Sequence, residues 1–559
     1  MKQLSILLVT FLFAYTLHAQ EQKHVVFLTD KNNNPYTLSD PTAFLTQRSL
    51  DRRTNANIAL DAKDLPVTPS YVDQIRATGA PVVYSLKWFN AVVVNTNDPI
   101  VLASIEALPF VDHIDQVLSK NAGSGRGVSG VNKFDGIPPY AVQKPLSLVS
   151  TKSTGSLDYG LAYNQTHMLS LDGLHDLGYT GEGMMIAILD AGFFHVDQIS
   201  AFDSLWLNNQ ILGTRDFNIP GSNVFGDDMH THGMMVLSTI GANLPGEMVG
   251  TAPHASFWLI HTEVGEYEAL IEEYNWAAGA EFADSVGADV INSSLGYTTF
   301  DNPVYDHTYA DMDGNTTPVT RAADLATSCG MMVVNSAGNS GGSSWQYIGA
   351  PADGDSVFSI GAVNAAGLYA SFSSTGPTSD GRIKPDVMAQ GQDAAIVAPW
   401  GGVATGNGTS FSSPIMAGAM ACLWQSAPDY TAQELRDAVR NTASLASAPD
   451  MLYGYGIPNF LHALFVITAS PEGIEAEPSY ALFPVPFTSA PWLKNNLLQE
   501  EEVSVAVLTI TGQIICQRNL VMNGSSAALL NDFSPLPTGL YIVRIISTSG
   551  QQVLRAVKQ

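Results

Sequence analysis

The stretch Met184-Met185-Ile186-Ala187-Ile188-Leu189-Asp190-Ala191-Gly192 is a run of apolar residues closed by an acid and a turn. Its apolar positions do not alternate with polar ones, which marks a strand buried on both faces. Similar short runs recur at 290–291, 331–334 and 357–360, and stretches of helical period such as 268–283 and 319–328 lie between them. Strands of that kind separated by helices make a parallel sheet in an α/β domain, here spanning 157–468. Side chains that do chemistry collect where the strands of such a sheet end, which draws attention to Asp190. An acid in that place also caps helices and forms turns, so Asp190 alone decides nothing.

The rest of the chain extends this domain on both sides. At 559 residues it is too long for one core and is expected to fold as about three or four domains. A content of 45% hydrophobic and 14% charged residues suits folded, soluble material. The net charge of −27 excludes nucleic acid as a partner, because phosphate binding needs a basic footprint. Lys2, the apolar run 4–17 and Leu17-His18-Ala19 form a signal peptide over 1–19. No later run is long and apolar enough for a transmembrane helix, so the protein is expected to be secreted or attached to the cell surface. Cys329, Cys422 and Cys516 are too few for a disulfide framework. Cys422 falls within an apolar helical stretch and Cys329 ends another; both read as buried small hydrophobes rather than nucleophiles.

Residues 20–120 read as a small α+β unit. It has a strand over 24–29, a helix opened by Thr68-Pro69, a strand pair over 82–94 and a helix opened by Asp98-Pro99. Residues 121–156, rich in Ser, Gly, Lys and Pro, form an exposed linker where nicking is easiest. Residues 478–559 carry β-rich runs joined at Thr511-Gly512 and Ser549-Gly550, a compact β-sandwich.

Two further segments carry chemistry. His232 stands in Asp228-Met-His-Thr-His232-Gly233, with an apolar helical run opening at Gly233. His230 and His232 could be a metal pair, but zinc needs a third protein ligand, and no His-Glu-x-x-His occurs. Ser410 stands in Asn407-Gly-Thr-Ser410-Phe-Ser-Ser-Pro414, ahead of an apolar helix. A serine there is an ordinary N-cap, yet a helix N-terminus also offers free N–H groups to an oxyanion. Position alone leaves both readings open.

The set taken together resembles the subtilisin (subtilase) family of serine peptidases over residues 160–465. The residues that carry the resemblance are Asp190-Ala-Gly, His232-Gly, Ser293-Ser294-Leu295-Gly296, Ala337-Gly338-Asn339 and Gly408-Thr409-Ser410-x-Ser-Ser-Pro414. Ala370-Ser371-Phe-Ser-Ser-Thr-Gly-Pro377 and Lys384-Pro385-Asp386 add to it. The order Asp190, His232, Ser410 is also that of the family. The resemblance implies an acyl-transfer triad of these three residues and an oxyanion donor in the Asn339 amide. It makes Ser294, Leu295 and Gly296 the wall on which a polypeptide substrate lies as an added strand. Four positions depart from the family: Ala191 replaces a hydroxyl residue, Met234-Met235 replace Thr-His, and Phe411 replaces methionine. No cofactor is required. Structural calcium is frequent in the family, but no loop of alternating acids marks a site here.

Residues 20–120 resemble a subtilase inhibitory propeptide, which implies an intramolecular inhibitor. Residues from 478 resemble the C-terminal sorting domain of Bacteroidetes type IX secretion cargo, through Leu482-Phe-Pro-Val-Pro486-Phe487, Leu536-Pro-Thr-Gly539-Leu-Tyr541 and Lys558. That resemblance implies the type IX machinery as a partner; the enzyme itself is expected to be a monomer. The competing reading is a catalytically inactive subtilase-fold binding or scaffold protein at the cell surface. An α/β-hydrolase esterase is contradicted by the chain order and by the lack of a Gly-x-Ser-x-Gly elbow at Ser410.

Overall fold

A computed structural model describes residues 22–119, 157–265, 267–468, 479–485, 487–496, 500–509, 512–523, 526–547 and 550–558. The expected signal peptide and the linker 121–156 lie outside the described residues. Two compact units are distinguished, one holding Pro66–Ser129 and the chain up to Pro35, the other Tyr36–Leu65 and Gly130–Gln559.

The smaller unit is an antiparallel sheet in the order Val82–Leu86, Ala91–Asn95, Gln22–Leu28, Val111–Ser119. Helices Pro69–Ala77 and Pro99–Glu106 start at prolines, whose fixed φ suits a first turn. The side chain of Asp98 accepts the Ile100 N–H at 2.8 Å. Val26, Val92 and Val94 from the sheet meet Val72, Ile75 and Ile105 from the helices. The stretch Tyr36–Leu65, expected as part of one 20–120 domain, groups with the larger unit instead.

The larger unit is built on a seven-stranded sheet. Its spatial order is Val387–Gln390, Phe358–Val363, Met332–Ser336, Val290–Ser293, Met185–Asp190, Ser256–His261, Ile211–Asp216. Every neighbouring pair is parallel. The alternation of side chains across a strand sorts its residues to two faces. Ile186, Ile188, Val334 and Ile360 join the core built with helices His232–Gly241 and Thr409–Ser426. On the other face Leu189 and Ile260 meet Gly279 of helix Ile271–Val286. Burial on both faces is why these strands read as unbroken apolar runs, each large side chain contributing ~1.5–3 kcal/mol. Helix Thr409–Ser426 is buried from Thr409 to Trp424, so it crosses the core rather than lining it. No disulfide joins the three cysteines, and Cys329 and Cys422 are buried.

The C-terminal region has a three-stranded sheet, Tyr480–Phe483, Trp492–Asn495 and Ala527–Leu529. A four-stranded sheet follows in the order Ile514–Met522, Glu501–Thr509, Gly539–Ser547, Gly550–Lys558. Tyr480, Leu493, Val505, Val543 and Phe533 share a core, while Ala506, Leu508 and Ile542 belong to the large core of the unit. The 536–541 motif has a physical basis. Tyr541 donates its hydroxyl to Pro537 O at 2.7 Å, and the buried Lys558 ammonium is held by the carbonyls of Phe533, Ser534 and Leu536.

Candidate active site

Asp190 is the last residue of its strand and is fully buried. Its parity with Ile186 and Ile188 turns it to the face that carries helices His232–Gly241 and Thr409–Ser426. Oδ1 accepts from the Ala191 N–H at 2.7 Å and from His232 Nδ1 at 2.7 Å. Oδ2 has no hydrogen-bond partner among the described residues. Ala191, beside Asp190 in the chain, has no hydroxyl to offer.

His232 opens its helix, and its ring is buried against the carboxylate. Donation from Nδ1 to a carboxylate fixes the tautomer in which Nε2 carries the lone pair. Gly233 is there for space. A Cβ at that position would fall 2.4 Å from Gly192 O and 2.9 Å from Asp190 Cβ. Met234 and Met235, where the family carries polar groups, are packed into the apolar core behind the imidazole.

Ser410 is the second residue of its helix and is 6% exposed. Gly408 precedes it at φ 153, ψ 148, a conformation open essentially to glycine. The Ser410 hydroxyl donates to Ser294 O at 3.4 Å, and the Ser294 hydroxyl donates to Ser410 O at 2.9 Å. No hydrogen bond joins Ser410 Oγ to the imidazole in this structure.

Asn339 lies two residues past Ala337, beyond the end of the strand Met332–Ser336. Its Oδ1 accepts from the Thr409 N–H at 2.9 Å and from Thr409 Oγ1 at 3.0 Å. That fixes which end of the amide is which, and turns Nδ2 toward the start of the helix. A Cβ on Gly408 would stand 3.6 Å from Nδ2 and 3.8 Å from Ser410 Cβ. The amide donor and the serine therefore share one small space.

Ser294, Leu295 and Gly296 follow the strand Val290–Ser293. They are pinned by the Ser294–Ser410 bonds, by Asn335 Nδ2 donating to Leu295 O at 3.0 Å, and by the Tyr297 N–H donating to Ala350 O at 2.8 Å. Sequence reading gave no role to Thr409, named only as part of the serine motif, or to Asn335, the two residues that hold Asn339 and Leu295. It also passed over Asp216 and His261, which end adjacent strands of the sheet and pair at 2.9 Å. The strand-end rule that found Asp190 points to both.

Comparison with known proteins assigns the family. The Subtilase family matches residues 181–456. Subtilisin of Bacillus pumilus is 31% identical over 54% of this chain and 97% of its own length. Subtilisin E of Bacillus subtilis is 32% identical over 54% of this chain and 70% of its own. The chain belongs to the subtilase family. It is a serine endopeptidase, a hydrolase of peptide bonds. Two further matches flank the subtilase domain: the Peptidase S8 propeptide domain of Bacteroidota over residues 23–128, and the secretion system C-terminal sorting domain over 481–559. The subtilase is therefore an exported zymogen, destined for the medium or the cell surface.

Proposed function

We propose that Asp190, His232 and Ser410 form the catalytic triad of this peptidase. In this reading the Asn339 amide and the Ser410 N–H make the oxyanion hole, and Ser294, Leu295 and Gly296 receive the substrate backbone. The observation that carries the reading is the buried 2.7 Å bond from His232 Nδ1 to Asp190. It leaves Nε2 basic and stabilises the imidazolium when a proton arrives.

In the resting enzyme the Ser410 hydroxyl is parked on Ser294 O. A substrate strand laid along Ser294–Gly296 brings its own N–H donors to these carbonyls. The hydroxyl then rotates to His232 Nε2, a change that needs only its single-bond rotor. The Ser410 proton passes to Nε2 as Oγ attacks the scissile carbonyl. The oxyanion is met by Asn339 Nδ2 and by the Ser410 N–H at the positive end of its helix. His232 returns the proton to the leaving amine, and water hydrolyses the acyl-enzyme by the same steps. No step calls for a cofactor, and structural calcium would act on stability alone.

The N-terminal unit is proposed to block the cleft until the 121–156 linker is cut, and the C-terminal sandwich to be read by the type IX machinery. A fluorophosphonate probe tests the triad directly. The mature enzyme should label, and Ser410→Ala should not. An unlabelled, folded wild-type enzyme would favour the inactive scaffold of the same fold.

A further inference from the structure

Residues 36–65 lie between two parts of the smaller unit in the chain, yet they belong to the subtilase unit. Helix Gln47–Asn55 has a mean character that looks wholly exposed: its apolar content is one leucine, and Arg48, Arg52 and Arg53 dominate it. The structure buries two of those arginines, at 4% and 2% side-chain exposure, against the C-terminal end of helix Ile271–Val286.

The contacts are specific. Arg52 Nη2 lies 2.6 Å from Asp284 Oδ1, its Nε donates to Cys329 O at 3.1 Å, and its Nη1 donates to Ala288 O. Arg53 Nη2 reaches Asp284 Oδ2 at 3.0 Å and Asp64 Oδ1 at 2.9 Å. Arg48 donates to Gly287 O at 3.0 Å and pairs with Asp289. The Thr46 N–H adds a bond to Ser285 O at 3.0 Å. Arg48 and the Thr46 N–H thus meet backbone carbonyls at the C-terminal end of the helix, where the dipole is negative, while Arg52 and Arg53 share the Asp284 carboxylate of its last turn. Asp64, Asp284 and Cys329 bring potential ligand atoms within 4.8 Å of one another, a group that could hold a cation. Here the guanidiniums of Arg52 and Arg53 supply the positive charge at Asp284. The socket is remote from the triad. Asp289 accepts from the N–H of Met185, the first residue of the strand that Asp190 ends, so a strand's length of ~17 Å separates them.

We propose that residues 36–65 are an arginine arm that anchors the propeptide to the subtilase domain at this second site, independently of the cleft. The arm keeps the propeptide bound after the linker is cut. Its partner chemistry is an acid-lined helix C-terminus accepting Arg at i, i+4 and i+5. Breaking one side of a buried, hydrogen-bonded ion pair leaves the other charge uncompensated, which is why so few residues can hold a domain. The proposal rests on the propeptide match and not on the role of Ser410.

The test uses the full chain carrying Ser410→Ala, which separates it from the proposed chemistry, and a site-specific protease sequence placed within 121–156. After cutting, the N-terminal fragment is expected to co-elute with the remainder on a sizing column. Arg52→Ala with Arg53→Ala, or Asp284→Asn, should speed its dissociation about 100-fold or more, while the exposed Arg76→Ala changes nothing. A fragment that leaves the parent at once, or stays as long in the double variant, overturns the proposal. Hydrogen exchange on the cut but otherwise unaltered chain covers variants that do not fold. Amides of 47–55 and 283–288 stay protected if the arm holds, and exchange freely if it does not.

Discussion

Ser294 and Ser410 are bonded to each other twice, each hydroxyl donating to the other's carbonyl, at 2.9 Å and 3.4 Å. The shorter bond has a cause four residues on. Pro414 has no N–H to give to Ser410 O, the acceptor that an α-helix would pair with it, and its ring crowds that carbonyl. The Ser294 hydroxyl fills the vacancy. Ser294→Ala should lower stability in urea by about 1–3 kcal/mol, the cost of a buried carbonyl left unpaired. Adding Pro414→Ala to that variant restores an N–H and should recover part of the loss. A double-mutant cycle reads the coupling directly.

Asp190 Oδ2 lacks a hydrogen-bond partner among the described residues, and Ala191 is the neighbour that lacks a hydroxyl. Ala191→Ser should orient the carboxylate and raise kcat up to about 10-fold, since one such bond is worth ~1 kcal/mol. KM should not change. An unaltered or lowered kcat in steady-state assays with a peptide substrate would mean that the carboxylate is already fully oriented by the Ala191 N–H and its surroundings.

Asn339 is held by its oxygen and offers its nitrogen. Asn339→Ala should reduce kcat by roughly 100- to 1000-fold with little change in KM, the pattern of a donor used only in the transition state. Thr409→Val frees the amide to flip, and should show a smaller loss of the same kind. Equal losses in kcat and binding would assign both residues to substrate positioning instead.

His175 sets an acid limit on stability. It is fully enclosed, accepts from the Tyr159 hydroxyl at 2.7 Å through Nδ1 and donates from Nε2 to Thr251 O at 3.0 Å. Burial lowers its pKa from 6.5 to about 4, although the Thr251 carbonyl and Asp172 oppose the shift. Between those values the unfolded chain binds a proton that the folded chain does not. Stability is therefore whole above pH 6.5 and falls by ~3 kcal/mol as pH drops to 4. Urea denaturation across this range should show that slope, and His175→Gln should flatten it.

What the sequence disclosed follows from the range of the interactions involved. Strands buried on both faces, the acid at a strand end and the serine at a helix start are local patterns, and all were legible. Ser294 and Asn339 stood out through the family motifs, but the partners that hold Asn339 and Leu295 did not. Thr409 and Asn335 do their work across 70 and 40 residues, where no local signal points. Arg52 and Arg53 were the hardest case. Nothing in the local sequence of residues 47–55 points to a partner, and Asp284, which takes both arginines inward, lies more than 230 residues away. The strands at 480–483, 492–495 and 527–529 escaped because runs of three or four residues carry too little periodicity.

Cys329 and Cys422 are sealed in the fold, Cys516 stands apart in the terminal sandwich, and none is bonded to another. Cys422 gives its thiol hydrogen to Thr251 O, and burial pushes its acidity far out of the physiological range. The fold thus depends on no disulfide among these three. The same folded chain can be produced in a reducing cytoplasm, stored with thiols and used in an oxidising medium. No bridge has to be formed, broken or reshuffled along the way.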